Sequence, residues 1–148
     1  MKIKKIFEEL KLVNVNLCNY YQTRKLLKMR NEKDIRENMF TSHKISLQEH
    51  QKWLSKIKND KTKKNFIVFR KKIIIGYLSI NNLKKNLSSA YWAFYISKKH
   101  RKIGFGLALE FLALDFFFEK LKIKKIYCEV INTNKEVINL HKKFGFKE

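Results

Sequence analysis

The sequence predicts a mixed α+β fold, on three observations. Residues 65–69 (NFIVF) and 72–80 (KIIIGYLSI) are β-branched runs with Arg70-Lys71-Lys72 as a hairpin between them. Residues 104–121 are a helix-length stretch, apolar almost all round, as a helix buried on several sides would be. Residues 125–131 (KIYCEVI) then read as a strand, so a strand–helix–strand crossover follows the antiparallel strands. That combination is a mixed sheet, not a doubly wound one.

Residues 10–15 (LKLVNV) alternate and read as the first strand. Residues 20–29 (YYQTRKLLKM) place apolar side chains at helical spacing. A polar stretch, RNEKDIRENMFTSHKI, follows without a clear period. Ser46-Leu47-Gln48-Glu49 is a capping box, since serine and glutamate can each satisfy an orphan N–H, so a second helix should run from residue 47 to about 57. Residues 90–97 (AYWAFYIS) are a further strand after the hairpin. Thr133-Asn134-Lys135-Glu136 opens the last helix, which ends near Phe144-Gly145. No repeat, linker or composition break divides the 148 residues, which read as a single domain over 1–148.

Composition narrows the function. A chain of ~150 residues buries roughly 70% of the surface its unfolded form exposes, enough for a real core. Aromatics at 14% exclude a disordered basic tail. Two cysteines, Cys18 and Cys128, make no disulfide framework and suit a reducing compartment. The apolar stretch from Phe105 to Phe118 carries Glu110 and Asp115 and is too short to span a bilayer, and MKIKKIFEEL holds no signal-peptide run. A cytoplasmic protein with no membrane partner is the expectation. The net charge of +21 has two readings. One is nucleic-acid binding. The other is biased composition: only five of the 34 basic residues are Arg, and the lysines are dispersed, whereas sequence-specific readers favour Arg. The second is favoured, with the surplus charge helping to draw in a small polyanionic ligand.

Two of only four glycines, Gly104 and Gly106, follow a strong strand and open the longest helix. Glycine lets backbone approach a ligand closely, and a helix N-terminus offers free N–H groups and a positive dipole end. Together they form an anion cradle suited to phosphate, although a glycine pair can also simply start a tightly packed helix. The third glycine of GxGxxG is replaced by Leu109, and the Gly-Lys-Ser/Thr of a Walker A loop is absent. The local sequence Arg101-Lys102-Ile103-Gly104-Phe105-Gly106 instead resembles the R/Q-x-x-G-x-G/A loop of the GCN5-related N-acetyltransferase (GNAT) family. Tyr95-Ile96-Ser97 before the loop, Asn134 opening the last helix and Phe144-Gly145-Phe146 closing it lie in the family's order, over about half the chain. The resemblance implies the acyl-CoA N-acyltransferase fold, a twisted and mostly antiparallel sheet flanked by helices, with acetyl-CoA as co-substrate and no metal. It implies a CoA site at Tyr95, Ile96, Arg101, Lys102, Ile103, Gly104, Phe105, Gly106, Leu107 and Asn134.

A second signature lies in the N-terminal half: Met29-Arg30-Asn31, Asp34-Ile35-Arg36, Met39-Phe40, Ile45-Ser46, then His50 and Trp53. It resembles the family branch that acetylates nucleotide-linked aminosugars on the pseudaminic acid route to flagellin glycosylation, at the 4-amino group of a UDP-linked amino-dideoxy sugar. It resembles less closely the enzymes that acetylate protein N-termini. For a UDP-sugar, Arg30 and His50 would meet the diphosphate by charge-assisted hydrogen bonds. Met39, Phe40, Trp53 and Tyr91 would wall the uracil, and Ser79 and Asn81, at i and i+2 on one strand face, would bind the sugar or a water. Each has a plainer reading as well: Trp53 as core, Arg30 as a helix C-terminal cation, Met39-Phe40 as a loop folded over the core.

The reaction that the family implies is direct attack of an amine on the thioester, with no acyl-enzyme. Backbone N–H groups at the splayed end of the strand at 90–97 would polarise the carbonyl. Glu129 is the candidate base, through water, because alternation sets it opposite Cys128 and Val130, which would face the core. A strand carboxylate paired with a lysine fits equally, and His50 is a second base candidate. Where the family carries a tyrosine acid, four residues before the last glycine, this chain has His141. A histidine protonates a thiolate only while charged, so either His141 takes over or the thiolate leaves unaided. His43 and His100 lack metal-ligand spacing. The sequence stops at Glu148, where the family adds a final strand: either the chain is truncated, or the sheet lacks a strand and exposes an edge that would promote a homodimer.

Overall fold

The computed structural model describes residues 3–148. Its elements run α1 (Ile3–Glu9), β1 (Leu10–Asn14), α2 (Tyr20–Arg30), α3 (Lys33–Arg36), α4 (Leu47–Ile57), β2 (Lys64–Arg70), β3 (Ile73–Asn81), β4 (Ala90–Ile96), α5 (Phe105–Asp115), β5 (Ile126–Tyr127) and α6 (Lys135–Lys143). The expected order is present, with α1 and the short α3 in addition. The five strands form one sheet in sequence order, antiparallel from β1 to β4, with β5 parallel to β4.

Local chemistry accounts for the elements. Asn19 and Gln22 cap α2 reciprocally. Ser46 accepts from the Glu49 N–H, but the Glu49 carboxylate turns to His43 Nε2 at 3.0 Å, so only half of the expected box forms. The β2–β3 hairpin turns at Lys71, with φ of 54°. A bulge between Val68 and Phe69 shifts the β2–β3 register.

The sheet separates two cores. On one face Phe66, Val68, Leu78, Ile80 and Trp92 pack against Ile6 of α1 and Phe105, Leu109 and Ala113 of α5. On the other, Ile67 and Ile74 pack against Leu26 and Met29 of α2 and Ile57 of α4. The apolar helix has the expected extent but leaves α-geometry after Asp115 for one π-helical turn over Phe116–Lys120, and Phe116 and Phe117 reach Phe66 and Trp92 edge-on.

The strand expected at 125–131 is the largest correction. Only Ile126 and Tyr127 pair, with Ala90 and Tyr91, before the two chains diverge. Alternation therefore does not govern Cys128, Glu129 and Val130. Among the described residues β5 ends the sheet and no strand follows α6.

Candidate active site

The divergence of β4 and β5 opens a cleft of about 520 Å³ between the two halves of the molecule. Its walls come from α2, the 37–46 loop and α4 at one end, β4 and the residues after β5 in the middle, and α5 and α6 at the other. Beyond Tyr91, the edge of β4 that faces β5 has no strand partner among the described residues. Its N–H groups are thus available where the sequence placed an oxyanion site.

At one end, Arg30 closes α2. Its Nη2 donates to the Thr41 carbonyl at 2.8 Å, while Nη1 is buried with no partner. Asn31 pins the loop by exchanging two 2.8 Å hydrogen bonds with the Ile45 backbone, and Arg36 adds bonds to Asn31 and Ser42 carbonyls. Met39 packs into the core and Phe40 is 74% exposed, yet both line the cleft. Trp53, Tyr77 and Tyr95 form a continuous aromatic surface, with ring centroids 6.1 and 5.2 Å apart. Burial pushes the Tyr77 and Tyr95 phenols up, so both stay neutral donors; Tyr77 donates to Asn65 at 2.6 Å.

His50 is only 5% exposed, tilted over Trp53 at 5.7 Å, with Nε2 buried and unpartnered. Burial lowers its pKa, against the Thr23 backbone and together with Arg24. At neutral pH it is therefore an uncharged imidazole. An uncharged ring does not supply the charge-assisted bond expected of His50.

At the other end, α5 starts on Gly104, which holds φ of 89° where a side chain would be strained. A Cβ on Gly106 would meet Leu140 of α6 at 3.1 Å. Each glycine thus has a reason internal to the fold besides the phosphate cradle. The first-turn N–H groups of Gly106 and Leu107 have no helical acceptor. Lys102, Phe105, Gly106 and Asn134 line the cleft, as do Tyr95 and Ile96. Ile103 is 97% exposed and, with Gly104 and Leu107, lies outside the lining. Arg101 lines it too, but Asp34 pairs with its guanidinium and its Nε donates to the Ile96 carbonyl at 2.8 Å. Glu32 holds the Ser97 hydroxyl and the Lys98 N–H. This carboxylate clasp from α2–α3 to the loop was not foreseen.

Between the ends, Ser79 lines the cleft, whereas Asn81 lies outside it and donates back to Ser79 at 3.1 Å. Tyr91 stacks on Tyr127 at 5.2 Å, in the part of β4 that β5 still covers, and is therefore outside the cleft as well. Glu129 is exposed and lines the cleft without a salt bridge among the described residues. Cys128 and Val130 line it with Glu129, since all three follow the end of pairing; Cys128 also packs against the core.

His141 projects from α6 into the cleft and is 5% exposed. Its Nδ1 lies 2.8 Å from Glu110 Oε1, and Glu110 is fully buried at 0% exposure. Trp92, Phe94 and Phe146 wall the imidazole at 5.4, 6.0 and 5.1 Å. Burial works to lower the His141 pKa, but the neighbouring Cys128 and the Glu110 carboxylate bonded at Nδ1 outweigh it and lift the value to about 9. This ring is an imidazolium at neutral pH. Glu110 and Cys128 were absent from the sequence-derived site. The signal for Glu110 was there: one carboxylate inside a run of apolar helix residues.

The family profile described as an acetyltransferase (GNAT) domain matches residues 20–147. Acetyltransferase PseH of Campylobacter jejuni is 28% identical over 137 residues, 93% of this chain and 84% of PseH. Spermidine N(1)-acetyltransferase of Vibrio cholerae is 27% identical over 121 residues, 81% of this chain and 70% of the relative. The crystal structure of the V. cholerae spermidine N-acetyltransferase with CoA and spermine superposes with a TM-score of 0.84 at 25% identity, covering 95% of this chain and 82% of that one. The C. jejuni PseH structure with acetyl coenzyme A gives 0.75 at 25% identity, covering 93% and 88%.

Proposed function

The chain belongs to the GNAT acetyltransferase family and is an acetyl-CoA-dependent N-acetyltransferase; from that premise we propose that its acceptor is the 4-amino group of a UDP-linked amino-dideoxy sugar, as in pseudaminic acid biosynthesis. One observation carries the choice of acceptor: a buried, unpartnered Arg30 Nη1 beside an aromatic wall. A guanidinium stays charged when buried, and burial already works against Arg30's charge. An anionic oxygen would complete its hydrogen bonds. The Trp53–Tyr77–Tyr95 surface suits a flat uracil, and neutral His50 offers the sugar or diphosphate a hydrogen bond. The net charge of +21 favours encounter with a polyanion.

CoA enters at the α5 end in this reading. Lys102, Arg101 and the N–H groups opening α5 meet its pyrophosphate, and Asn134 borders the pantetheine path. The unpaired edge of β4 polarises the thioester carbonyl. Glu129, open to water, takes the amine's proton through a water molecule. The amine attacks directly, and His141, charged at neutral pH, protonates the departing sulfur. His141 thus stands in for the family's tyrosine.

Polyamine is the second reading. The spermidine acetyltransferases are about as similar, and Glu129 and Glu136 line the cleft without salt bridges among the described residues. The half-buried Arg30 guanidinium repels a polycation at the acceptor end, which sets the order of the two. The test is a thiol-release assay with acetyl-CoA and three acceptors: a UDP-4-amino-4,6-dideoxy sugar, spermidine and a Ser-Arg peptide. Release with the sugar alone is expected. Release with spermidine or peptide but not the sugar overturns the choice of acceptor and leaves the family assignment standing.

A further inference from the structure

The loop that leads from β4 into α5 is built of like charges. Four of the five residues 98–102 are Lys or Arg, and residues 97–104 contain no carboxylate. Neighbouring cations repel, so the loop needs a counter-charge from elsewhere to hold one shape. The turn between α2 and α3 supplies it twice. Glu32 takes the start of the loop: Oε1 accepts from Ser97 Oγ at 2.5 Å and Oε2 from the Lys98 N–H at 3.0 Å. Ser97 is 1% exposed, and a hydrogen bond to a charged acceptor is strong there. Lys98 opens a single 3₁₀ turn over Lys98–His100, so Glu32 satisfies a free turn N–H from a distant element. Asp34 takes the far end of the turn: it pairs with the Arg101 guanidinium, whose Nε donates to the Ile96 carbonyl at 2.8 Å. Arg101 and Lys102 line the cleft, whereas Glu32 stands outside it.

We propose that Glu32 and Asp34 are positioning residues for acetyl-CoA: they fix loop 97–104 so that Lys102 and the first N–H groups of α5 stand ready for its pyrophosphate. The proposal rests on acetyl-CoA binding in this cleft and adds two residues that lie outside the glycine-containing loop itself. A binding loop ordered before its ligand arrives avoids the entropy cost of being ordered by it. Asp34 and the Ile96 carbonyl also orient Arg101 before any phosphate meets it. The two carboxylate oxygens of Glu32 each serve a different donor, so a neutral amide cannot replace them. Glutamine offers one acceptor oxygen and turns an NH₂ group toward the other donor. Asp34 has the smaller share, because its pair with Arg101 is partly exposed, at 29% and 39%.

The test titrates the full chain with acetyl-CoA in a calorimeter and follows amide hydrogen exchange by peptide mass. Glu32→Gln should weaken acetyl-CoA binding roughly tenfold, and Asp34→Asn by about threefold. Exchange should quicken over residues 97–104 in Glu32→Gln and stay unchanged over β2 and β3. Ser97→Ala should weaken binding in the unaltered protein and add little once Glu32→Gln is present, because both remove one contact. With whichever acceptor turns over, KM for acetyl-CoA should rise in Glu32→Gln while kcat stays within about twofold, since Glu32 acts through the loop. Unchanged acetyl-CoA affinity in folded Glu32→Gln and Asp34→Asn proteins overturns the proposal and spares the enzyme's function. Exchange that quickens equally through β2 and β3, or a fall in kcat with KM unchanged, overturns it in favour of a clasp that only stabilises the fold. No acetyl-CoA binding by the unaltered protein overturns the proposal together with the reading of the cleft.

Discussion

His50 and His141 line opposite ends of one cleft and are equally buried, yet they carry different charges at neutral pH. His50 lies against Trp53 with no carboxylate bonded to it, and burial lowers its pKa. His141 lies among three aromatic rings with Glu110 at 2.8 Å, and its pKa rises to about 9. Burial alone does not decide the charge of a histidine. A single carboxylate taken out of water with it reverses the sign of the shift. On the proposed reading this divides the labour: a neutral hydrogen-bonding end for the acceptor and a proton-donating end for the thioester.

Removing the carboxylate breaks the comparison with the largest effect. Glu110→Ala leaves the imidazole uncompensated in the core and should lower stability by ~3–5 kcal/mol. The gentler Glu110→Gln should cut kcat at pH 8 by roughly 100-fold, as expected for a lost general acid, and much less near pH 6. A pH profile of acetyl transfer checks this. An unchanged alkaline limb in Glu110→Gln would remove His141 from the acid role.

The two histidines should also leave opposite marks on stability. A folded pKa raised to about 9 for His141 gives stability that is present below about 6.5 and lost as pH rises through about 9, amounting by linkage to about 3 kcal/mol. His50, with its folded pKa lowered, subtracts stability as pH falls through about 6.5, because the unfolded chain then binds the extra proton. Urea melts from pH 5 to 10 should show a maximum between the two limbs. His141→Asn should flatten the alkaline limb and His50→Gln the acidic one; if the same limb flattens in both, the contrast is gone.

The smallest effect belongs to Arg30. Arg30→Gln should raise KM for a UDP-aminosugar by roughly 10- to 100-fold, the worth of a charged hydrogen bond at ~1.5–3 kcal/mol, with little change in kcat. Steady-state kinetics with sugar and spermidine in parallel would sharpen the comparison of the two ends. A KM change confined to spermidine would reverse the order of the two acceptor readings.

Sequence and structure agree where local chemistry is sufficient. Apolar, β-branched and aromatic runs marked β2, β3 and β4 to within a residue or so, Ser46 and Asn134 marked helix starts, and the Gly104–Gly106 pair marked the loop before α5. The GNAT resemblance read from that loop agrees with the family match. Residues 128–131 show the limit. Their β-branched composition reads as strand, but a strand needs a partner, and β4 has already turned away. Tyr91 and Asn81 fail to reach the cleft for the same reason: where pairing stops is a property of two chains together.

By itself, the sequence determined the order of elements, the fold class and the positions that could carry chemistry, because periodicity, caps and glycines act over a few neighbouring residues. Tertiary structure alone decided which of those positions are charged. Glu110 and His141 are 31 residues apart, and the bond between them exists only because α5 and α6 pack side by side. His50 has the same side chain and the same burial, and no such neighbour. Electrostatic interaction depends on distance through space and on exclusion of water, and neither can be read along a chain.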